Sequence, residues 1–151
     1  LSGEFVSTLL TLTDHDTPIW LADCYHLEPV RAFIGFHTGA PIISEPMRAQ
    51  FAFSDASSLL HLDQFNAGTQ EYTDRSTTLI VAVPALTGGP DLRLRGPGIE
   101  SAITIAPQGL PEDFTAQWAA NRELFPRGID LLLVCAGQVL GLPRSTRIEE
   151  A

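Results

Sequence analysis

The sequence predicts an α/β domain with a mixed β-sheet flanked by helices. Apolar runs of strand length alternate along the chain with amphipathic segments of helix length. One run, Ile129–Cys135, is apolar almost throughout, which is typical of a strand buried on both faces of a sheet. A length of 151 residues suits one compact domain, and we expect residues 1–151 to form it.

The first part of the chain is predicted to contain a helix, a strand and a second helix. Val6–Leu12 is an apolar segment that ends at a polar turn, and Ile19–Ala22 has the composition of a short strand. His26–Thr38 has the clearest helical pattern, because Pro29 suits its first turn and Gly39 the position just past its end. Its apolar face collects Leu27, Val30, Phe33, Ile34 and His37.

The middle of the chain continues the alternation. A third helix is expected after a strand, with Asp55 or Ser57 as its N-cap, and a polar loop then leads to a strand rich in β-branched residues. The predicted segments are an extended or looped Ala40–Pro46, a strand Gln50–Phe53, a helix Ser57–Phe65, a loop Asn66–Ser76 and a strand Thr77–Val83.

The last third is predicted to contain two short strands, a helix and a hairpin. Leu92–Arg95 alternates between apolar and charged residues, so it should be a strand with one face in water. Ala102–Ala106 is a further short strand, and Pro111–Leu124 is a helix with two acids in its first turn. Val139–Leu142 should pair with the Ile129–Cys135 run across a tight turn. The polar remainder, Pro143–Ala151, is expected to be a tail.

Composition limits the possible functions. A net charge of −9 argues against general binding to nucleic-acid backbones. The apolar runs are much shorter than the ~20 residues of a membrane helix, and no signal peptide is visible, so a cytoplasmic protein is expected. Two cysteines are too few for a disulfide framework, and the apolar neighbours of Cys24 and Cys135 suggest buried free thiols.

The sequence contains no lysine, and all nine basic residues are arginines. A nucleotide-binding P-loop needs a lysine at the phosphates, and a pyridoxal-phosphate enzyme needs one for its Schiff base. Both classes are therefore excluded, and no cofactor is expected.

Four arginines are the main candidates for ligand binding. Arg93 and Arg95 share one face of a predicted strand, and Arg144 and Arg147 flank two hydroxyl residues near the end. The guanidinium fork suits a phosphate, a phosphonate or a carboxylate. The competing interpretation is ion pairing with the excess acids of this chain or with those of a partner.

No complete catalytic or metal site is visible in the sequence, so no catalytic residue and no metal are predicted. His26 and His37, placed on one helix, would lie about 16 Å apart, too far for one ion. His15 lies between Asp14 and Asp16 and would be the base of an independent enzyme, the weakest of the hypotheses. Gly96-Pro97-Gly98 lacks the third glycine of a dinucleotide loop, because that position is Ser101.

Several stretches in a fixed order resemble the H subunits of the bacterial carbon–phosphorus lyase system for phosphonate breakdown. The resemblance covers nearly the whole chain, with the N-terminal segment of the family shortened or missing. The stretches are Thr13–Leu21, Phe36–Pro41, Gly68-Thr69, Thr77–Val81, Leu92–Ile99, Phe125–Leu133 and Leu142–Arg147.

The resemblance implies a fold similar to the large domain of pyridoxal-phosphate-dependent transferases, without the cofactor. It also implies a homodimer that joins the G, I and J subunits in one core complex. That complex attaches a phosphonate to the ribose of ATP with loss of adenine. The resemblance brings no catalytic residue to this chain, so a non-catalytic architectural subunit is the leading hypothesis.

Overall fold

The computed structural model describes residues 2–150, with the side chain of Glu150 left aside. This part of the chain contains ten-residue α-helices, short β-strands and single 3-10 turns. The helices are α1 (Gly3–Leu12), α2 (Glu28–His37) and α3 (Phe114–Glu123). The strands are β1 (Ile19–Leu21), β2 (Ile42–Ile43), β3 (Phe51–Asp55), β4 (Thr78–Ala82), β5 (Leu92–Arg95), β6 (Ile103–Ile105), β7 (Asp130–Cys135), β8 (Gln138–Leu142) and β9 (Arg147–Glu150).

The main sheet has six strands in the order β2-β1-β3-β4-β7-β8. The first five run parallel, and β8 returns antiparallel to β7 after a turn at Ala136 and Gly137. Both turn residues have positive φ, as the type I′ turn of a two-residue hairpin requires. The predicted mixed sheet and its hairpin are therefore confirmed.

Each central strand sends alternate side chains to two different apolar cores. On one face, Phe5 and Leu9 of α1 and Ile34 of α2 pack against Ile80 and its neighbours. On the other face, Phe114 and Trp118 of α3 pack against a second set of strand residues that includes Leu79, Val81 and Leu131. The helices thus cover both faces of the sheet, as the strand pattern predicts.

A second sheet of three antiparallel strands, in the order β6-β5-β9, lies beside the core. Its strands β5 and β6 agree with the sequence prediction. The expectation of a polar tail over Pro143–Ala151 is wrong, because β9 pairs with β5 and places Ile148 opposite Leu94. β9 contains a single apolar residue among charged ones, so its own sequence shows no alternating strand pattern. Its apolar face is recognisable only from its pairing with β5.

The predicted helix Ser57–Phe65 is also wrong. The segment contains two 3-10 turns, Ala56–Ser58 and Leu62–Gln64, and no α-helix. Asp55 does act as a cap, because its side chain accepts a hydrogen bond from the Ser58 amide at 2.8 Å. The Leu62 amide donates to Oε1 of Gln117 on α3 at 2.9 Å, so a tertiary contact replaces a helical one.

Helix α2 begins later than predicted, and His26 lies before it at the end of a 3-10 turn, Asp23–Tyr25. Of the apolar face, Ile34 is fully buried, Val30 and Phe33 are half-buried, and Leu27 is exposed. His37 is exposed as well, so two of the five residues of the predicted face are not used inside the fold.

The two cysteines are free, as expected, but neither is buried. Cys24 is exposed in the turn after β1, and Cys135 is half-buried at the last position of β7. The burial prediction was wrong because both residues lie where a strand leaves the sheet. No helix in the described residues has the length and apolar character that crossing a membrane requires.

Candidate functional site

The carboxyl edge of the parallel strands is the place where α/β sheets usually bind ligands. Tyr25, which follows β1, stacks on Phe5 with ring centroids 4.9 Å apart. Asp55, at the end of β3, accepts hydrogen bonds from the Ser58 amide at 2.8 Å and the Ser57 hydroxyl at 3.1 Å. Cys24, in the 3-10 turn after β1, lies close to both Tyr25 and Asp55.

The protonation states at this edge are fixed. Burial raises the pKa of Tyr25 far above its usual range, and the nearby Cys24 and Asp55 raise it further. For Asp55, burial alone would raise the pKa, but the hydrogen bonds from Ser58 and Ser57 outweigh it and hold the pKa below its usual value. At neutral pH the tyrosine keeps its proton and the carboxylate stays ionised, so neither group is poised to transfer a proton.

Arg144 does not lie with the other three predicted arginines. Its guanidinium binds the Asp130 carboxylate through Nη2 to Oδ2 at 2.6 Å and Nε to Oδ1 at 3.2 Å. It also donates to the Thr73 carbonyl and the Ser76 hydroxyl, each at 2.6 Å. Its donors therefore join β7, the loop before β4 and the segment after β8.

Arg93, Arg95 and Arg147 do come together, on the exposed face of the small sheet. Arg95 lies directly opposite Arg147, and Arg93 opposite Glu149, in the β5–β9 ladder. Glu149 accepts from Nε of Arg95 at 3.0 Å, while Nε of Arg93 is 3.8 Å away. Glu149 thus lies near two guanidinium groups, and the ladder places a third arginine, Arg147, on the same face, so cations outnumber the acid there.

The histidines are held by local contacts. His15 Nε2 lies 3.3 Å from an Asp16 carboxylate oxygen, and both side chains are largely exposed. The pKa of Asp14 is lowered by hydrogen bonds from the Thr17 hydroxyl and the Asp16 amide, so this carboxylate closes a turn. His26 Nε2 is 3.0 Å from the Leu21 carbonyl. None of these contacts tests the hypothesis that His15 acts as a base, so it stays a prediction.

The sequence analysis missed a polar pocket at the amino edge of β3 and β4. Its volume is ≈ 280 Å³, and it is lined by Arg48, Ala49, Gln50, Asn66, Asp74, Arg75 and Ser76. The lining comes from two loops that are distant in the chain and meet only because β3 and β4 are parallel neighbours. No local pattern in the sequence marks this meeting.

Among the described residues, two exposed apolar surfaces lie at opposite edges of the main sheet. Next to the β2 edge, α2 exposes 86% of Phe36, whose ring centroid lies 5.0 Å from that of His37. At the β8 edge, Val139 is 52% exposed. Val139 also lines a groove with Leu12 of α1 and Leu132 of β7. We call these the α2 surface (Phe36, His37) and the β8 edge (Leu12, Leu132, Val139).

Comparison with known proteins gives one family and two relatives. The family model described as bacterial phosphonate metabolism protein (PhnH) matches residues 1–149. The chain is 52% identical, over 93% of its length and 70% of the relative's, to the alpha-D-ribose 1-methylphosphonate 5-triphosphate synthase subunit PhnH of Rhizobium meliloti (strain 1021). It is 33% identical, over 66% of its length and 51% of the relative's, to the putative C-P lyase subunit protein HtxG of Stutzerimonas stutzeri.

Proposed function

The chain belongs to the bacterial phosphonate metabolism protein family PhnH, and we propose that it is a non-catalytic structural subunit of a carbon–phosphorus lyase core complex. In this complex a phosphonate is transferred to the ribose of ATP with loss of adenine. The chain would contribute surface and shape to the assembly, and its sister subunits the reacting groups.

The names of the relatives support a role within an assembly. The Rhizobium meliloti protein is named a synthase subunit, and the Stutzerimonas stutzeri protein a putative C-P lyase subunit. The partners we propose are a second copy of this chain and the sister subunits G, I and J. We further propose a cytoplasmic location and a fold like the large domain of pyridoxal-phosphate-dependent transferases, without pyridoxal phosphate because the chain has no lysine.

The observation that carries the proposal is the pair of exposed apolar surfaces at opposite edges of the main sheet. An aromatic side chain such as Phe36, 86% exposed, is costly in water and typical of the centre of a protein interface. A subunit that both dimerises and joins a larger complex needs two such surfaces. We assign the α2 surface to a sister subunit and the β8 edge to the second copy.

The assignment of the β8 edge follows from symmetry. An edge strand has hydrogen-bonding groups that can pair with another strand. Two identical edges can pair antiparallel about a two-fold axis, which closes the assembly at a dimer. The apolar groove beside Val139 would then be covered by the partner's copy of the same residues.

The state of the polar groups supports a non-catalytic role. Arg144 is engaged with Asp130, and Tyr25 retains its proton. The Asp55 carboxylate is held ionised by its hydrogen bonds. None of these groups has the poised pKa that general acid–base catalysis favours.

The test is reconstitution of phosphonate transfer to ATP with purified sister subunits, with and without this chain. We expect the His15→Ala and Cys24→Ala variants to support the same rate as the wild-type chain, because each still assembles. A variant with a charge on the α2 surface should lose activity together with assembly. Loss of activity in His15→Ala with assembly intact would contradict the proposal and favour an independent catalytic role.

A second candidate function is an arginine-based binder of a nucleotide or phosphonate. The arrangement of Arg93, Arg95 and Arg147 on one exposed face favours it, although Glu149 already pairs with two of them. Calorimetric titration of the isolated chain with ATP and methylphosphonate tests this function. Saturable heat that disappears in Arg95→Gln and Arg147→Gln would support it, and flat heats would exclude it for the isolated chain.

A further inference from the structure

The polar pocket at the amino edge of β3 and β4 has a rim that the fold holds in place. The Thr77 hydroxyl donates to the Ala49 carbonyl at 2.6 Å and accepts from the Asn66 amide at 3.2 Å. The Thr78 amide donates to the Gln50 carbonyl at 3.0 Å. The two loops that line the pocket are therefore tied together by hydrogen bonds to their main chains, which hold the backbone of the rim in place.

Arg75 presents its hydrogen-bond donors to this pocket. Its guanidinium carbon lies 3.9 Å from the centroid of the Tyr72 ring, which is a cation–π contact. A cation–π contact does not require the N–H donors to bind an oxygen acceptor, so they stay available to a ligand. The cation is thus oriented without its donors being consumed.

Arg48 provides a second cation from the other loop. Its nearest acid in the described part of the chain is Glu45, whose oxygen is 4.0 Å from Nη1, longer than a hydrogen bond. Its side chain is 73% exposed, so it can move towards a ligand without breaking a strong contact. Arg48 and Arg75 together make a pair of donors of the kind that binds oxyanions.

Ser76 adds a donor at the wall of the pocket. It is only 6% exposed, and its hydroxyl oxygen accepts a hydrogen bond from Nη2 of Arg144 at 2.6 Å. With an acceptor position filled by Arg144, the hydroxyl proton is free to point at a ligand oxygen. Asp130 neutralises Arg144 behind the serine, so the charge in the pocket comes from Arg48 and Arg75.

We propose that this pocket binds a tetrahedral oxyanion of the phosphoryl or phosphonyl class. Two guanidinium groups, the Ser76 hydroxyl and the side-chain amides of Gln50 and Asn66 line the ≈ 280 Å³ space. Several donors around a small concave space suit the oxygens of such a group, and two cations suit its double charge. The one acid that lines the pocket, Asp74, repels an anion and therefore lowers the affinity of the pocket for it.

None of the residues that line the pocket belongs to the small sheet, and the proposal does not depend on the assembly role. It also differs from the usual position at the carboxyl ends of parallel strands. The carboxyl edge of this sheet presents the Asp55 carboxylate, whereas the pocket at the amino edge is lined by Arg48 and Arg75 with a single acid, Asp74. Within this pocket the cations therefore outnumber the acid, which favours an anion there.

The experiment is titration of the isolated chain with inorganic phosphate and with methylphosphonate at low ionic strength, followed by calorimetry and ³¹P NMR. We expect Arg48→Gln and Arg75→Gln each to weaken binding by about tenfold, the loss of one charge-assisted contact. Asp74→Asn should strengthen binding severalfold, because it removes a repelling charge. Arg31→Gln, an exposed arginine of α2 that lines neither this pocket nor the small sheet, is the matched control and should leave binding unchanged.

Three outcomes would overturn the proposal. These are the absence of saturable binding of either anion, an equal weakening in Arg31→Gln, and an Asp74→Asn variant that binds no more tightly than the wild type. Equal weakening in Arg31→Gln would assign the binding to general surface charge. Matching circular dichroism spectra of all variants ensure that a loss of binding is not a loss of fold.

Discussion

Arg144 binds Asp130 by two parallel hydrogen bonds, Nη2 to Oδ2 at 2.6 Å and Nε to Oδ1 at 3.2 Å, and its own amide donates to the same Oδ1 at 2.7 Å. The side chains are 16% and 31% exposed. A bidentate, partly buried pair of this kind locks the segment after β8 onto the start of β7. The sequence suggested Arg144 as a ligand-binding residue, but in this chain its donors meet protein acceptors.

Replacing Arg144 with Ala should destabilise the fold. The change leaves the Asp130 carboxylate and the Thr73 carbonyl without their donor, and we expect a cost of roughly 2–4 kcal/mol, below that of a fully buried pair. Urea unfolding followed by circular dichroism measures it. Arg93→Ala, at a more exposed ion pair, should cost under about 1 kcal/mol. Equal losses in the two variants would contradict the structural role of Arg144.

Asp55 should make a pH-dependent contribution to stability. Its pKa in the folded protein lies below the usual value of 3.8, so its stabilising contribution is present above that value and is lost as the pH falls through the folded pKa. The difference in unfolding free energy between the wild type and Asp55→Asn should therefore shrink as the pH falls from about 5 to about 2. Thermal unfolding across this range measures it. A difference that is constant with pH would show that the carboxylate charge contributes nothing.

Phe36→Asp should leave the isolated chain as stable as the wild type, because the ring is 86% exposed and contributes little to the core. In the presence of sister subunits the same change should weaken association by tenfold or more, roughly the loss of one buried aromatic contact. Co-purification on a tagged sister subunit measures this. Phe36→Leu is the matched control and should retain most of the binding. Full association of Phe36→Asp would remove the α2 surface from the interface.

Val139→Lys should convert a dimer into a monomer without loss of fold. Val139 is 52% exposed at the β8 edge, and a charge there opposes pairing with a second edge strand. Sedimentation of the wild type and the variant over a range of concentrations measures the change. Val139→Thr keeps the size of the side chain without a charge and should remain a dimer. If Val139→Lys still forms a dimer, the second copy binds elsewhere.

The main sheet was largely predictable from sequence, because each of its strands carries its own pattern. Thr77–Val83 and Ile129–Cys135 are β-branched or apolar runs that match β4 and β7 closely. The 3-10 turns over Ser57–Phe65 were mistaken for a helix, since their geometry depends on the Gln117 side chain of a distant helix. Strand β9 was missed because its pairing with β5 is not visible in its own four residues.

The candidate sites were predictable only where neighbours in the chain are neighbours in space. Arg93 and Arg95 were placed on one face of a strand by alternation alone, and the structure agrees. Arg95 lies opposite Arg147 only because β5 pairs with β9. Arg48 and Arg75 line the same pocket only because β3 and β4 are parallel neighbours. Contacts of this kind require the topology, which the local patterns of the sequence do not contain.

The structural role is tested most directly by the molar mass of the purified chain in light scattering, alone and then mixed with the proposed partners, subunits G, I and J. We expect a dimer that shifts completely into a larger, stable complex. A chain that keeps its own mass in the mixture, with the sister subunits assembling without it, would contradict the structural role proposed for it.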